Sequence, residues 1–295
     1  MKKTIFKYFS SLIFLVLLNL FICKPAFAIR IGLVEGVREH YVAASVQGYL
    51  INGHNNRNIM QIEPMKKYPI KINGSSIAIK INGQYYDLGT NYLIVQGNKN
   101  GFVSAKNRWY RGNLVVLNRG SSLTVINDVP LESYLLGVVP AEMPSSWNIE
   151  AQKAQAIAAR SYAIANLGKR ASRGYDLKDT PEDQAYGGAS VETPKTNAAV
   201  MNTAGQVLTY NSKIIPAYYH ASSGGHTVTA DQVWSSNLPF LRAVPAYDNN
   251  KPKNGHGVGM SQHGANNLAN YGYNAYQILG YFYKNVSLGI INAQL

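Results

Sequence analysis

With 295 residues, 46% of them hydrophobic, the chain holds enough apolar material for a sizeable core in one or two domains. Its single cysteine, Cys23, excludes an intramolecular disulfide, so packing must hold the fold. A formal net charge of +13 favours anionic polymers as partners.

Lys2, Lys3 and Lys7 precede the apolar run Leu12 to Cys23, which is followed by the small-residue end Ala26-Phe27-Ala28. That is the layout of a secretory signal peptide over residues 1–28, with cleavage after Ala28. The run is short for a bilayer, which needs about 20 apolar residues in a helix. Ile22 is too bulky for the position before a lipid-bearing Cys23. Losing Lys2, Lys3, Lys7 and Lys24 takes the charge from +13 to +9. Export removes nucleic acid from the anionic partners and leaves wall glycans with acidic peptides, or phosphate-bearing wall polymers. Membrane contact is expected only through an uncleaved signal segment.

From Ile29 to about Ile126 the chain reads as short β-segments punctuated by Gly and Asn, among them YPIKING, SIAIKING and GNLVVLNRGSSLTVIND. Pro69–Gly74 and Ala78–Gly83 read as a hairpin or a small repeat. The pattern changes at Pro130. LESYLLGVV predicts a short helix leading into a loop, Pro140-Ala141-Glu142-Met143-Pro144. The alanine-rich NIEAQKAQAIAARSYAIANLG then predicts a helix capped among Ser145, Ser146 and Asn148 and ending at Gly168. Helical spacing puts Lys153, Ile157, Arg160 and Ile164 on one face and Gln155 with Tyr162 on another, so basic or amide groups could face a site. A second helix is predicted from Pro194, after Thr193, to Gly205. Strands VLTY and KIIPAYYH, joined by Asn211-Ser212, come next, then ASSGGHT, the loop NGHGVGMSQHG, and helices in SQHGANNLANYG and AYQILGYFYKNV. The expected fold class is α+β, with a β-rich region over 29–110 and a mixed helical domain over 111–295.

LESYLLGVVPAEMPSSWNIEAQKAQAIAARSYA, then AYGG, AYYHASSGGHT, PFLRAV and GHGVGMSQHGA, resembles the SpoIID/LytB family of sporulation and amidase-enhancer proteins. The matches keep their order and cover most of Arg111 to Leu288. The resemblance implies a catalytic domain over 111–295 that cleaves the glycan strand lytically between N-acetylmuramic acid and N-acetylglucosamine, best known on strands stripped of stem peptides. It makes the carboxylate of VVPAEMP, here Glu142, the essential group. It also has a second branch, in which amidase enhancers bind or stimulate a cell-wall amidase without cutting glycan.

The chemistry is consistent with a single acid. A glycosidic oxygen leaves only when protonated, so a carboxylic acid must supply a proton. In a lytic reaction the muramic acid C6 hydroxyl attacks C1, and the same carboxylate takes that hydroxyl's proton. Prolines flank Glu142, and Val138, Val139, Met143 and Trp147 lie near it in sequence, an arrangement that would raise its pKa. Glu132 and Glu150 read instead as first-turn helix carboxylates favoured by the dipole. Lys153, Gln155, Arg160, Tyr186, His220, Ser222, Ser223, His226, His256, Gln262 and His263 are the candidate substrate contacts.

Gly259-Met260-Ser261-Gln262-His263 only approaches a nucleophile elbow, since His263 stands where glycine belongs. Some family members bind zinc just before AYGG. Here the stretch offers Lys178, Glu182 and Asp183, so neither metal nor other cofactor is expected. Family members also commonly carry a substantial β-rich segment before GHGVGMSQ, where this chain has only Asn249 to Gly255.

Overall fold

The computed structural model describes residues 27–99 and 101–291. Residues 1–26, which hold nearly all of the expected signal segment, lie outside them. Seven strands form one sheet in the order Leu177–Lys178, Ala28–Val37, Leu123–Pro130, Asn113–Asn118, Tyr92–Gly97, Gly48–Asn52 and Arg57–Ile62. All its pairs are antiparallel except the first. A second, antiparallel sheet runs Arg108–Tyr110, Val103–Ala105, Glu39–Ala44, Tyr68–Asn73, Ser76–Ile81 and Gln84–Asp87.

Period-two burial makes these strands. Ile29, Ile31 and Leu33 are buried while Arg30 is exposed, and Ile70 pairs with Ile79 on the inner face. The two KING segments form a hairpin in which Asn73 opposes Ser76 across a two-residue turn, with Gly74 at φ +57°. The seven-stranded sheet crosses the expected 110/111 boundary: strands from both sides of it are hydrogen-bonded neighbours, and one core joins Ile31 and Val95 to Leu135 and Ala159.

Six α-helices are described: α1 (Leu131–Glu142), α2 (Ile149–Ala165), α3 (Pro194–Met201), α4 (Asp231–Trp234), α5 (Gln262–Asn270) and α6 (Ala275–Phe282). The fold is α+β, in agreement with the sequence. α1 runs past Pro140 to Glu142, where a loop was expected. Pro140 cannot donate to the carbonyl four residues back, but it lies in the last turn, and the Met143 N–H closes the end on the Val139 carbonyl at 2.9 Å. Asn148 caps α2 by accepting the Glu150 N–H. α3 begins at Pro194 after a Thr193 capping box, yet stops at Met201 rather than Gly205. KIIPAYYH is two separate two-residue strands, Lys213–Ile214 and Tyr219–His220, in different sheets, because Pro216 interrupts it.

α2 lies between two cores. Ala156, Ala159 and Ala163 pack with Ile29, Val129 and Leu135, while Ala151, Ala154 and Ala158 pack with Leu268, Ile278 and Phe282. Small side chains let both layers approach, so the helix has no single inner face. Met143, just after α1, joins the second core.

Candidate functional site

A cleft of about 560 Å³ is lined by Glu142, Tyr162, Lys169, Tyr218, Tyr219, His220, Trp234, His256 and Gln262, among others. Four elements from distant parts of the chain meet there: the end of α1, the 181–185 turn, the Tyr219–His220 strand and the start of α5. Tyr219–His220 pairs in parallel with Met260–Ser261. The close approach needs a glycine: a Cβ on Gly259, at φ +74°, would lie 2.1 Å from the Tyr218 carbonyl oxygen.

The Glu142 carboxylate accepts three hydrogen bonds. Ala185 N–H donates to Oε1 at 2.7 Å, Tyr219 O–H to Oε1 at 3.3 Å, and Gln262 Nε2 to Oε2 at 3.1 Å. Both lone pairs of Oε1 are thereby used, and Oε2 keeps one for a proton. Burial pushes the Glu142 carboxyl above the ordinary range, against the pull of the three donors.

The donors are themselves held. Gln184 is fully buried, accepts from the Tyr134 hydroxyl at 3.2 Å, and donates to the Tyr219 oxygen at 2.8 Å and to the Ala159 carbonyl at 3.3 Å. Asp248 ties ASSGGHT to GHGVGMSQHG. It is fully buried and accepts from the Ser223 N–H (2.6 Å) and hydroxyl (3.0 Å), the Gly225 N–H (2.6 Å) and the Ser261 hydroxyl (2.6 Å). Ser261 in turn caps α5, which carries Gln262.

The other carboxylates of the cleft are ion-paired. The Asp183 side chain is wholly buried against Lys169 at 2.6 Å and Arg170 at 2.7 Å, and it also accepts the Lys178 N–H. Burial would raise its pKa, but these donors outweigh it and hold the carboxyl below its usual value. Glu182 meets Lys178 and Arg170, and the Lys178 hydrogen bond lowers it. Lys178, Glu182 and Asp183 thus form an ionic network. Among the described residues no cluster of three His, Cys, Asp or Glu side chains is placed to hold a metal.

His220 and His256 are neutral. Burial pushes His220 down to about 4, the neighbouring His256 imidazole further opposing its protonation, and burial pushes His256 to about 4 as well. His220 Nδ1 faces the Val258 carbonyl at 3.1 Å and must carry the proton, whereas His256 Nδ1 accepts the Val258 N–H at 3.0 Å.

Of the candidate residues, Glu142, His220, His256 and Gln262 share this cleft. The others are not among its lining. Arg160 is fully buried in a bidentate pair with Glu132, both contacts 2.7 Å, and Glu132 also accepts the Gly205 N–H. Arg160 is therefore the counter-ion of Glu132 and not the substrate contact expected, while Glu132 is the first-turn carboxylate expected, held by that pair. Lys153 binds Glu150 at 2.7 Å, and Glu150 also accepts the Ala275 N–H. Gln155 is fully buried inside α2's packing, and Tyr186 is buried with its hydroxyl on Asn127 at 2.8 Å. Ser222 donates to the Pro252 carbonyl and Ser223 to Asp248, so both shape loops. His226 is exposed beside the Thr227 carbonyl, and His263 packs against Trp147 with ring centres 4.7 Å apart. Sequence reasoning missed Gln184, Tyr219 and Asp248. Tyr219 lies inside a quoted motif, and Gln184 and Asp248 lie just outside two others, but only folding shows what each one holds.

A larger cleft of about 780 Å³ is lined by Arg111, Asp128 and Ser133, among others. Burial raises Asp128 too, but Arg30 stands 3.9 Å from it and Arg111 is engaged by Glu192, so size does not mark it as the chemical site.

A profile of the SpoIID family, described as stage II sporulation protein, matches residues 119–210. Over 109 residues, 37% of this chain, the sequence is 47% identical to the amidase enhancer of Bacillus subtilis, but the match covers only 14% of that protein. Stage II sporulation protein D of the same organism is 37% identical over 144 residues, 43% of this chain and 42% of its own length. An uncharacterized protein of Brachyspira hyodysenteriae is 34% identical over 168 residues, 56% of this chain and 46% of its own length. The chain therefore spans less than half the length of each of these relatives. Residues 119–210 thus match a SpoIID domain, and the relatives that the chain is similar to include an amidase enhancer and a stage II sporulation protein D. Glu142, Gln184 and Ala185 fall inside the matched segment, whereas Tyr219, His220, His256 and Gln262 lie beyond it.

Proposed function

We propose that this protein is a secreted peptidoglycan lytic transglycosylase that cuts peptide-stripped strands between N-acetylmuramic acid and N-acetylglucosamine, leaving 1,6-anhydro ends. The observation that carries the reading is a contrast within one cleft. Asp183 and Glu182 have cationic partners that keep them ionised, while Glu142 is held by neutral donors only and its proton affinity is raised by burial. Of these carboxyls, Glu142 is the one whose hold on a proton is strengthened, as a general acid requires. In this reading Oε2 protonates the glycosidic oxygen as the C1–O bond breaks. The muramic acid C6 oxygen then bonds to C1, and its proton returns to the Glu142 carboxylate. Residues 1–28 would deliver the chain to the periplasm or cell wall, and a charge of +9 would favour its anionic polymers.

Mature protein incubated with intact and amidase-stripped sacculi should release 1,6-anhydro ends from the stripped material. The 47% identity to an amidase enhancer, with the short 249–255 connection, favours a second reading: a wall-binding protein that stimulates an amidase. Faster peptide release by an added amidase, with no anhydro ends from this protein on stripped strands, would select that reading and end the first.

A further inference from the structure

Beside Glu142 the cleft carries an aromatic group that takes no part in positioning the acid. Trp234 ends the single turn of α4, and Ser235, at φ +52°, turns the chain away after it. Its ring centre is 4.6 Å from that of Tyr218 and 4.8 Å from that of His256, yet the residue stays 38% exposed and lines the cleft. An indole fixed from behind and open in front offers an apolar face of about the size of one pyranose ring.

His220 lines the same cleft and packs against the same His256, ring centres 5.5 Å apart, and is only 4% exposed. With the proton on Nδ1 and committed to the Val258 carbonyl, Nε2 is left as a bare acceptor. That nitrogen is buried without a hydrogen-bond partner among the described residues, although the residue lines the cleft. Buried polar atoms are nearly always paired, so an unpaired acceptor at a cleft points to a donor that arrives with the ligand.

We propose, on the reading of this cleft as a glycan site, that His220 and Trp234 form a one-sugar subsite. Trp234 stacks on the face of a pyranose, and His220 Nε2 accepts a hydrogen bond from an O–H or acetamido N–H of the same sugar. Neither group exchanges a proton with the scissile bond. They set which ring sits beside Glu142 and how it is turned. Because burial keeps His220 neutral down to about pH 4, the acceptor persists through the whole neutral range.

Binding is best measured on the Glu142→Gln protein, which should hold glycan without cutting it. Peptide-stripped strands should bind this protein and shift its tryptophan fluorescence. Adding Trp234→Ala should weaken binding about tenfold, the loss of one stacked contact. Trp234→Phe should keep most of the affinity while the fluorescence change disappears. Adding His220→Asn, which retains a donor for the Val258 carbonyl but has no acceptor at the Nε2 position, should also weaken binding about tenfold. Should that variant fail to fold, the nitrogen-15 shift of His220 Nε2 in the Glu142→Gln protein decides instead, and it should move when glycan is added. The subsite is refuted if Trp234→Ala and His220→Asn bind as tightly as their parent, if the His220 shift stays still, or if the Glu142→Gln protein binds no glycan. Cleavage is read separately. A wild-type protein that makes no anhydro ends but shows this binding pattern would overturn the lyase reading and leave the subsite standing.

Discussion

The two ends of α1 carry glutamates with opposite surroundings. Glu132, at the first turn, is fully buried with both oxygens on the Arg160 guanidinium at 2.7 Å. Glu142, at the last residue, meets an amide N–H, a phenol and a carboxamide, none of them charged. A guanidinium offsets the desolvation of a carboxylate and fixes it as an anion. Neutral donors offset it only partly, so burial wins and the group binds protons more tightly. One helix therefore places both acids, and the partner at each end decides which is structural and which can do acid chemistry.

Breaking the structural end should have the largest effect. Arg160→Leu leaves Glu132 buried and uncompensated, and should lower unfolding free energy by about 3–5 kcal/mol in a denaturant titration. Replacing both partners by leucine should restore most of that loss. A single-variant loss below about 1 kcal/mol would mean that the pair is not what holds this end. At the other end, Glu142→Gln keeps shape and most hydrogen bonds but removes the transferable proton. Anhydro-end formation should fall at least about a hundredfold, with the melting temperature nearly unchanged. Normal cleavage by that variant would remove Glu142 from the chemistry.

The same contrast explains what could be read from the sequence. Glu142 was legible because its local string, VVPAEMP, is distinctive. α2 was legible from its alanines and its Asn148 cap. Which way α2's polar residues face was not, because periodicity reports inside and outside only for a helix with one buried side, and α2 is enclosed between two cores. Arg160 therefore looked like a ligand group when it is the counter-ion of Glu132. The donors to Glu142 lie 43, 77 and 120 residues away, separations that no local pattern encodes. The histidines divided for a similar reason: His220 and His256 reach the cleft through the pairing of Tyr219–His220 with Met260–Ser261, while His226 and His263 point elsewhere.

Asp248 extends the comparison to a third carboxylate, anionic without any cation. Burial acts to raise its pKa, but hydrogen bonds from Ser261, Ser223 and Gly225 outweigh it and hold it below 3.8. Asp248→Asn should lower stability by about 1.5–3 kcal/mol, the range for hydrogen bonds to a charged group, and should also impair cleavage by loosening Gln262. The sign of the pH effect follows from linkage. A carboxyl whose folded pKa lies below its unfolded value stabilises fully above the unfolded value, near 3.8, and loses that contribution as pH falls through the folded pKa. The gap in stability between wild type and Asp248→Asn should therefore be constant at neutral pH and shrink below about pH 4. A gap that widened on acidification would show that Asp248 is not held as an anion.

The smallest expected effect tests whether neutral donors tune Glu142. The Tyr219 hydroxyl is oriented by Gln184 and donates to Oε1 at 3.3 Å, a long bond that favours the carboxylate. Tyr219→Phe removes that donor and keeps the ring, so the Glu142 pKa, already raised by burial, should rise further. A general acid is active while protonated, and the limb where activity falls with rising pH marks the loss of that proton. That limb should move to higher pH in Tyr219→Phe, by about one unit or less, since a hydrogen bond contributes about 0.5–1.5 kcal/mol and one unit is about 1.4 kcal/mol. Cleavage on the low-pH side should change less than about tenfold, because the proton and its donor oxygen, Oε2, remain. Movement of the limb to lower pH would mean that the phenol does not stabilise the anion. An unmoved limb together with a large loss of rate would make Tyr219 a substrate contact rather than a positioning group.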